Sequence, residues 1–166
     1  NDLKEGDWKY FHRSGNISHE GIYKNSFKNS QWIYYFENGD LDEVGSFISG
    51  LKHGLWGRFH GNGYIKQEEN YFYGKLENVS NFYLSDGNEI INETFINGNG
   101  KLLDYYENGD IFSKSNYKDG SLDGLYEEFH PNGKLASKGK YKKNNKVGTW
   151  FDYSKRGIEK KRTSYD

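Results

Sequence analysis

The chain contains no cysteine and no methionine, and no apolar run approaches the ~20 residues that a membrane-spanning helix requires. Without cysteine there is no disulfide framework, no thiolate metal site and no cysteine nucleophile, and the redox compartment leaves no trace in the sequence. No signal-peptide pattern is present. Because position 1 is also not methionine, the chain reads as a processed or shortened form. These features predict a soluble protein. Hydrophobic residues make up 33% and mean hydropathy is -1.06, a balance that leans toward disorder. The aromatic content, 4 Trp, 15 Tyr and 11 Phe, contradicts that leaning. At 166 residues the length matches one domain of roughly 100–200 residues.

What the chain has instead is repetition. A turn glycine falls at Gly15, Gly39, Gly63, Gly87, Gly109, Gly133 and Gly157, with spacings of 24, 24, 24, 22, 24 and 24. Missing such a period miscalls a fold. Other columns keep its phase. Seven residues before the glycine stand Trp8, Trp32, Trp56, Ser80, Leu102, Tyr126 and Trp150; four before it the residue is always aromatic, from Phe11 to Tyr153. Eight after it come Tyr23, Phe47, Tyr71, Phe95, Tyr117, Tyr141 and Tyr165. The units are approximately 6–29, 30–53, 54–77, 78–99, 100–123, 124–147 and 148–166, together one repeat domain over 1–166.

Five of the turns read Asn-Gly or Asp-Gly, pairs favoured where both central residues of a tight hairpin take positive φ. Each unit is therefore expected to be a β-hairpin. Second turn clusters such as Ser49-Gly50 and Asp119-Gly120 join the hairpins into an antiparallel meander of roughly fourteen strands. Gly21, Gly45 and Gly139 stand two residues before a conserved-phase aromatic, where a neighbouring ring can lie flat on the bare backbone. The two aromatic columns of the first strand are three apart, which places them on opposite faces unless a bulge intervenes. The fourth unit has Ser80 for Trp, Glu89 for Ile or Leu, and a connection two residues short, so a kink is expected between 78 and 104.

The pattern G-x-W-x-x-Y-F-x-N-G-x-L followed by G-x-Y-x-N-G resembles the MORN repeat in its bacterial variant form, whose members include antitoxins of the YwqK type. The clearest copies are SQWIYYFENGDLDEVGSFISG at 30–50 and DGLYEEFHPNGKLASKGKYKKN at 123–144. The resemblance implies an all-β fold, an elongated single-layer antiparallel sheet of about seven stacked hairpins, and no catalytic residues to carry over.

Enzyme chemistry finds no footing. His12, His60 and His130 share the column three before the glycine, but with strands ~4.8 Å apart, residues two hairpins apart are ~19 Å apart and cannot share one ion. NGNGK at 97–101 lacks the strand-loop-helix setting of a phosphate loop. Carboxylates are scattered at turns and strand ends. No catalytic residue, metal or cofactor is expected.

Two features point to binding. Residues 140–166 hold nine basic side chains against three acidic ones, a net +6 set against -7 for the rest. Lys160, Lys161 and Arg162 suit either protection of an exposed edge strand or attraction to an anionic surface. Two columns, meanwhile, vary in type while holding phase. Five before the glycine stand Tyr10, Tyr34, Arg58, Phe82, Asp104, Glu128 and Asp152; three before it stand His12, Phe36, His60, Leu84, Tyr106, His130 and Ser154. Tyr, Phe, His and Arg anchor protein interfaces, so these positions, Leu84, Asp152 and Ser154 excepted, are read as partner-binding, with a protein such as a toxin as partner and nucleic acid as an unfavoured one. On that reading Tyr71 and Phe129 carry stability while Tyr34 and Arg58 contribute little. The expected function is a non-enzymatic scaffold of the immunity or antitoxin kind, cytoplasmic in that case. The alternatives are an exported or cell-surface adhesion module, and association with anionic membranes.

Overall fold

Alternating side chains between paired turns build sixteen strands and no helix among the described residues. The computed structural model describes residues 3–92 and 94–166. A first sheet runs in chain order through β1 (Gly6–Phe11), β2 (Ile17–Lys24), β3 (Phe27–Tyr35), β4 (Leu41–Ile48), β5 (Leu51–Phe59), β6 (Ile65–Phe72) and β7 (Lys75–Val79). β8 (Phe82–Tyr83) and β9 (Glu89–Ile90) pair as a short hairpin. A second seven-stranded sheet follows: β10 (Phe95–Ile96), β11 (Asn99–Tyr105), β12 (Ile111–Lys118), β13 (Ser121–Phe129), β14 (Leu135–Lys142), β15 (Asn145–Tyr153) and β16 (Glu159–Tyr165). Every ladder in the two seven-stranded sheets is antiparallel. The all-β hairpin repeat is as the sequence predicts. By packing, the chain divides into two compact units, Asn1–Glu89 and Ile90–Asp166.

The two strands beyond the expected fourteen come from the fourth unit, each of whose strands is broken in two. Ser80 explains the first break. Its hydroxyl accepts the Glu68 amide at 2.9 Å and donates to the Asn81 carbonyl at 2.7 Å. A serine side chain that takes over a ladder amide competes with the strand it sits in.

The turns reverse the expected assignment. At the Asn-Gly positions only the glycine has positive φ (Gly39, 92°; Gly109, 87°). Gly39 N donates to Phe36 O and Phe36 N to Asp40 O, the three-residue loop that ends in a left-handed bulge residue. The two-residue turns lie at the other end of the strands, where both central residues are left-handed: Asn25-Ser26, Ser49-Gly50, Tyr73-Gly74, Asn97-Gly98, Asp119-Gly120 and Lys143-Asn144. Dipeptide composition misled because glycine serves both turn types.

The bulge next to each three-residue loop settles the aromatic columns. Tyr34 pairs with Glu43 and Tyr35 with Leu41, so the extra residue, Asp42, belongs to β4 and the alternation of β3 is unbroken. Trp32 and Tyr35 therefore occupy opposite faces. A second irregularity sits nine residues before six of the seven loop glycines, where Gly6, Ser30, Gly54, Gly100, Gly124 and Gly148 all have positive φ. Serine is the one side chain in that set.

The core of this thin architecture is the tryptophan column. Trp32 and Trp56 are 0% exposed and Trp150 4%, although each lies on a single sheet. The glycines make this possible. A Cβ on Gly21 would stand 2.4 Å from the Trp32 ring, on Gly45 2.1 Å from Trp56, and on Gly139 2.2 Å from Trp150. Each indole N–H then donates to the carbonyl of the residue after that glycine, Ile22, Ser46 or Lys140.

Candidate binding surface

In the first sheet the tryptophan face carries three rows of side chains across the strands. Above the indoles, Lys4, Lys28 and Lys52 alternate with Tyr23, Phe47 and Tyr71. Lys28 Nζ lies 4.2 Å from the centre of the Trp32 ring and Lys52 Nζ 4.0 Å from that of Trp56. Lys4 and Trp8 repeat the arrangement at 4.6 Å, and Lys146 and Trp150 in the second sheet at 4.0 Å. This lysine was not singled out in the sequence, yet it was legible there. Every tryptophan has a lysine four residues earlier, and the units without tryptophan have Leu76, Gly98 or Leu122 in its place.

Below the indoles runs the variable column. Tyr10, His19 and Tyr34 form a stack, with centroids 4.3 and 5.4 Å apart and planes within 13° and 19°. Lys4 Nζ donates to Tyr10 Oη and Lys28 Nζ to Tyr34 Oη, both at 2.8 Å. Burial pushes the Tyr34 hydroxyl up to about 12 and lowers both His19 and Lys28. The Lys4 hydrogen bond lowers Tyr10, while burial raises Tyr23 to about 12. Tyr34 is thus built into the packing as well as facing outward, and the division of scaffold from surface is less sharp than the sequence suggested.

Next along the row comes a charged cluster. Glu69, only 7% exposed, meets Arg58 at 3.4 Å and Lys52 at 3.9 Å and accepts the Tyr71 hydroxyl at 2.8 Å. Lys52 also pairs with Glu43. Phe82, at 1% exposure, is core rather than surface, so its expected partner-binding role is corrected. In the second sheet the same row reads Asp104, Ser113, Glu128, Ser137, Asp152 and Lys161, each opposite the next in register.

The second variable column does different work. His12 Nε2 lies 2.9 Å from Tyr35 O, His60 Nε2 2.7 Å from Tyr83 O, and His130 Nε2 3.0 Å from Tyr153 O. Tyr106 Oη donates to Phe129 O at 2.6 Å. These side chains tie each loop to the next hairpin, 23 residues on. His60 is 2% exposed; its expected role as a partner contact gives way to this structural tie. Phe36 occupies the same place in its loop, half-buried.

At the basic end, β16 pairs with β15 alone in its sheet. Arg162 is engaged by Glu159 at 3.2 Å and lies 4.9 Å over Phe151, while Lys160 and Lys161 are exposed.

These hairpins are similar to a known repeat. Three segments match the MORN repeat variant: 4–25, 98–119 and 122–143. All three begin eleven residues before a loop glycine and cover one odd strand, short of Ser121 alone in the third, with its three-residue loop and the following even strand, so the repeat of the family and the hairpin of the structure coincide. The third segment overlaps the copy at 123–144 that the sequence marks as clear; the copy at 30–50 lies outside the matched segments. No curated protein matches the chain.

Proposed function

We propose that this chain is a non-enzymatic scaffold that binds a protein partner on its tryptophan face, acting as an immunity or antitoxin-like protein that masks a toxin. The observation that carries the reading is the variable row. On a frame whose Trp, Gly and aromatic positions recur, that row changes chemistry from strand to strand, and its side chains stand on the tryptophan face, whereas the histidines of the other variable column bond to the backbone of the next hairpin. It passes from Tyr10, His19 and Tyr34 through Glu43 and Arg58 in the first sheet to Asp104 and Glu128 in the second. Aromatic and arginine side chains are those that dominate interface energetics, and the carboxylates of the second sheet suit a basic partner surface.

The test is affinity capture from lysate of the source cell read by mass spectrometry, followed by co-expression with the captured protein. One stoichiometric partner whose toxicity the chain relieves, with relief weakened by Glu128→Lys in a folded variant, supports the reading. Capture unaffected by Tyr34→Ser and by Glu128→Lys moves the interface off this face. Recovery of no partner counts against the immunity role.

A further inference from the structure

The reverse face of the first sheet carries a second ordered row. Phe11 stands opposite Ile17, Tyr35 opposite Leu41 and Phe59 opposite Ile65, so aromatic and aliphatic side chains alternate strand by strand. Between neighbouring loops this row opens into a shallow depression of about 440 Å³ lined by Gly15, Asn16, Ile17, Tyr35, Asn38 and Gly39. A depression of about 470 Å³ occurs in the second sheet on the equivalent residues, from Gly109 and Ile111 to Phe129 and Gly133. The repeat therefore builds the depression; it is no accident of one loop. The same columns recur in the sequence between Gly39 and Gly63, where Leu41 and Phe59 take the places of Ile17 and Tyr35.

Its period selects the shape of a ligand. Equivalent positions recur every second strand, ~9.6 Å apart. A polyproline II helix advances ~3.1 Å per residue with three residues per turn, or ~9.3 Å. Across Phe11, Tyr35 and Phe59 the two periods drift apart by only ~0.6 Å. A β-strand repeats its face every ~6.7 Å and an α-helix every ~5.4 Å, and neither is commensurate with the row. Aromatic-lined grooves are also the surfaces that take polyproline II segments, whose ordering cost on binding is small.

One position of the row differs in charge between the two sheets. In the second, Lys114 Nζ lies 5.1 Å over the Phe129 ring and lines the depression. In the first, the corresponding position is Glu20, whose carboxylate takes Lys9 at 2.9 Å and the Tyr35 hydroxyl at 2.9 Å. Those two hydrogen bonds, Lys9 first, hold it below the usual carboxylate range. Glu37 and Asp40 stand exposed on one bordering loop and Arg13 on the other, and Glu107 and Asp110 hold the matching exposed places in the second sheet.

We propose that the reverse face of the first sheet binds a proline-rich segment in the polyproline II conformation with basic residues at one end, laid across the strands with every third side chain seated in one depression. This groove lies opposite the face argued above and stands or falls by itself.

The probe is a synthetic peptide of four Pro-Pro-Leu repeats followed by two arginines, titrated into the full chain and read by fluorescence anisotropy. A peptide of equal length with leucine at every fourth position, and one with Gly-Ser in place of Pro-Pro, serve as controls. The in-phase peptide is expected to bind at least about tenfold more tightly than either. Tyr35→Ala is expected to abolish that preference and Tyr153→Ala to leave it, circular dichroism confirming that both fold. Should Tyr35→Ala unfold, Asp40→Asn on the exposed rim supplies the second variant, weakening the arginine-tagged peptide and sparing an untagged one. Equal affinity for the in-phase and out-of-phase peptides, no saturable binding of the first, or insensitivity to the variants overturns the proposal.

Discussion

Replacing Gly45 by alanine adds one methyl group where the Trp56 ring already lies. Carbon atoms in contact sit ~3.5–4.0 Å apart, whereas the added Cβ would meet the indole at 2.1 Å. The ring has to withdraw by more than ~1 Å. Overpacking of this kind costs ~1–3 kcal/mol. Withdrawal also strains the 3.1 Å hydrogen bond from Trp56 Nε1 to Ser46 O, worth ~1 kcal/mol, and the Lys52 contact at 4.0 Å, worth ~0.5–1 kcal/mol. Against this, alanine restricts the unfolded chain and returns ~0.4–1 kcal/mol. The net expectation is a loss of about 3 kcal/mol, measured by urea denaturation followed through tryptophan fluorescence. Gly61→Ala is the control, because a Cβ there meets nothing within 4 Å and the backbone is not left-handed; it is expected to be neutral or slightly stabilising. The protein contains its own suppressor: where Ser115 fills the glycine position, the ring is Tyr126 rather than Trp. Gly45→Ser with Trp56→Tyr should therefore show a favourable coupling of at least ~1 kcal/mol in a double-mutant cycle. If Gly45→Ala and Gly61→Ala unfold at the same denaturant concentration, the glycine does not hold the ring and the account of the core is wrong.

Other perturbations probe other parts of the frame. His60→Ala leaves the Tyr83 carbonyl without its 2.7 Å partner in a buried site and should cost about 3 kcal/mol in chemical denaturation, more than His130→Ala at its half-buried equivalent. Ser30→Gly relieves a left-handed residue at φ 59° and should stabilise by about 0.5–1 kcal/mol, the backbone relief less the entropy of glycine; a destabilised variant would mean that the side chain compensates. Tyr34 and Tyr23 bind their protons more tightly folded than unfolded, both raised to about 12. Their contribution is therefore complete below about pH 10 and lost as pH rises toward 12, and Tyr34→Phe should flatten that alkaline limb in pH-dependent thermal melts. His19 is lowered by burial, so stability should fall as pH drops below about 6.5, a fall that His19→Phe removes.

The sequence carried the hairpin, its period and the seat of the tryptophan, because each depends on residues whose spacing is fixed by the pleat. Gly21, Gly45 and Gly139 were legible as ring platforms for the same reason. The loops were misjudged: Asn38-Gly39 and its equivalents serve three-residue loops, and the tight turns fall on less conspicuous pairs such as Tyr73-Gly74 and Lys143-Asn144. The candidate surface was only half legible. The row through Tyr34 and Arg58 was found from its variation, but His12, His60 and His130 vary in the same way while bonding to a backbone carbonyl of the next hairpin. Variation in phase does not separate a side chain turned to a partner from one turned to its neighbour. The break at Ser80 was visible as a missing tryptophan, but its cause, a hydroxyl on the Glu68 amide, depends on the facing strand.

The seat of each tryptophan straddles two repeats: Gly21 belongs to one hairpin and Trp32 to the next, as do Gly45 with Trp56 and Gly139 with Trp150. A repeat is therefore not an interchangeable brick. Transplanted after a hairpin that ends in Glu69 or Ser115, a tryptophan-bearing hairpin would find its socket filled, and a hairpin with a smaller residue placed after Gly45 would leave a void. Shuffling, duplication or designed extension of such an array has to respect this grammar, cutting each block so that the glycine travels with the ring it receives.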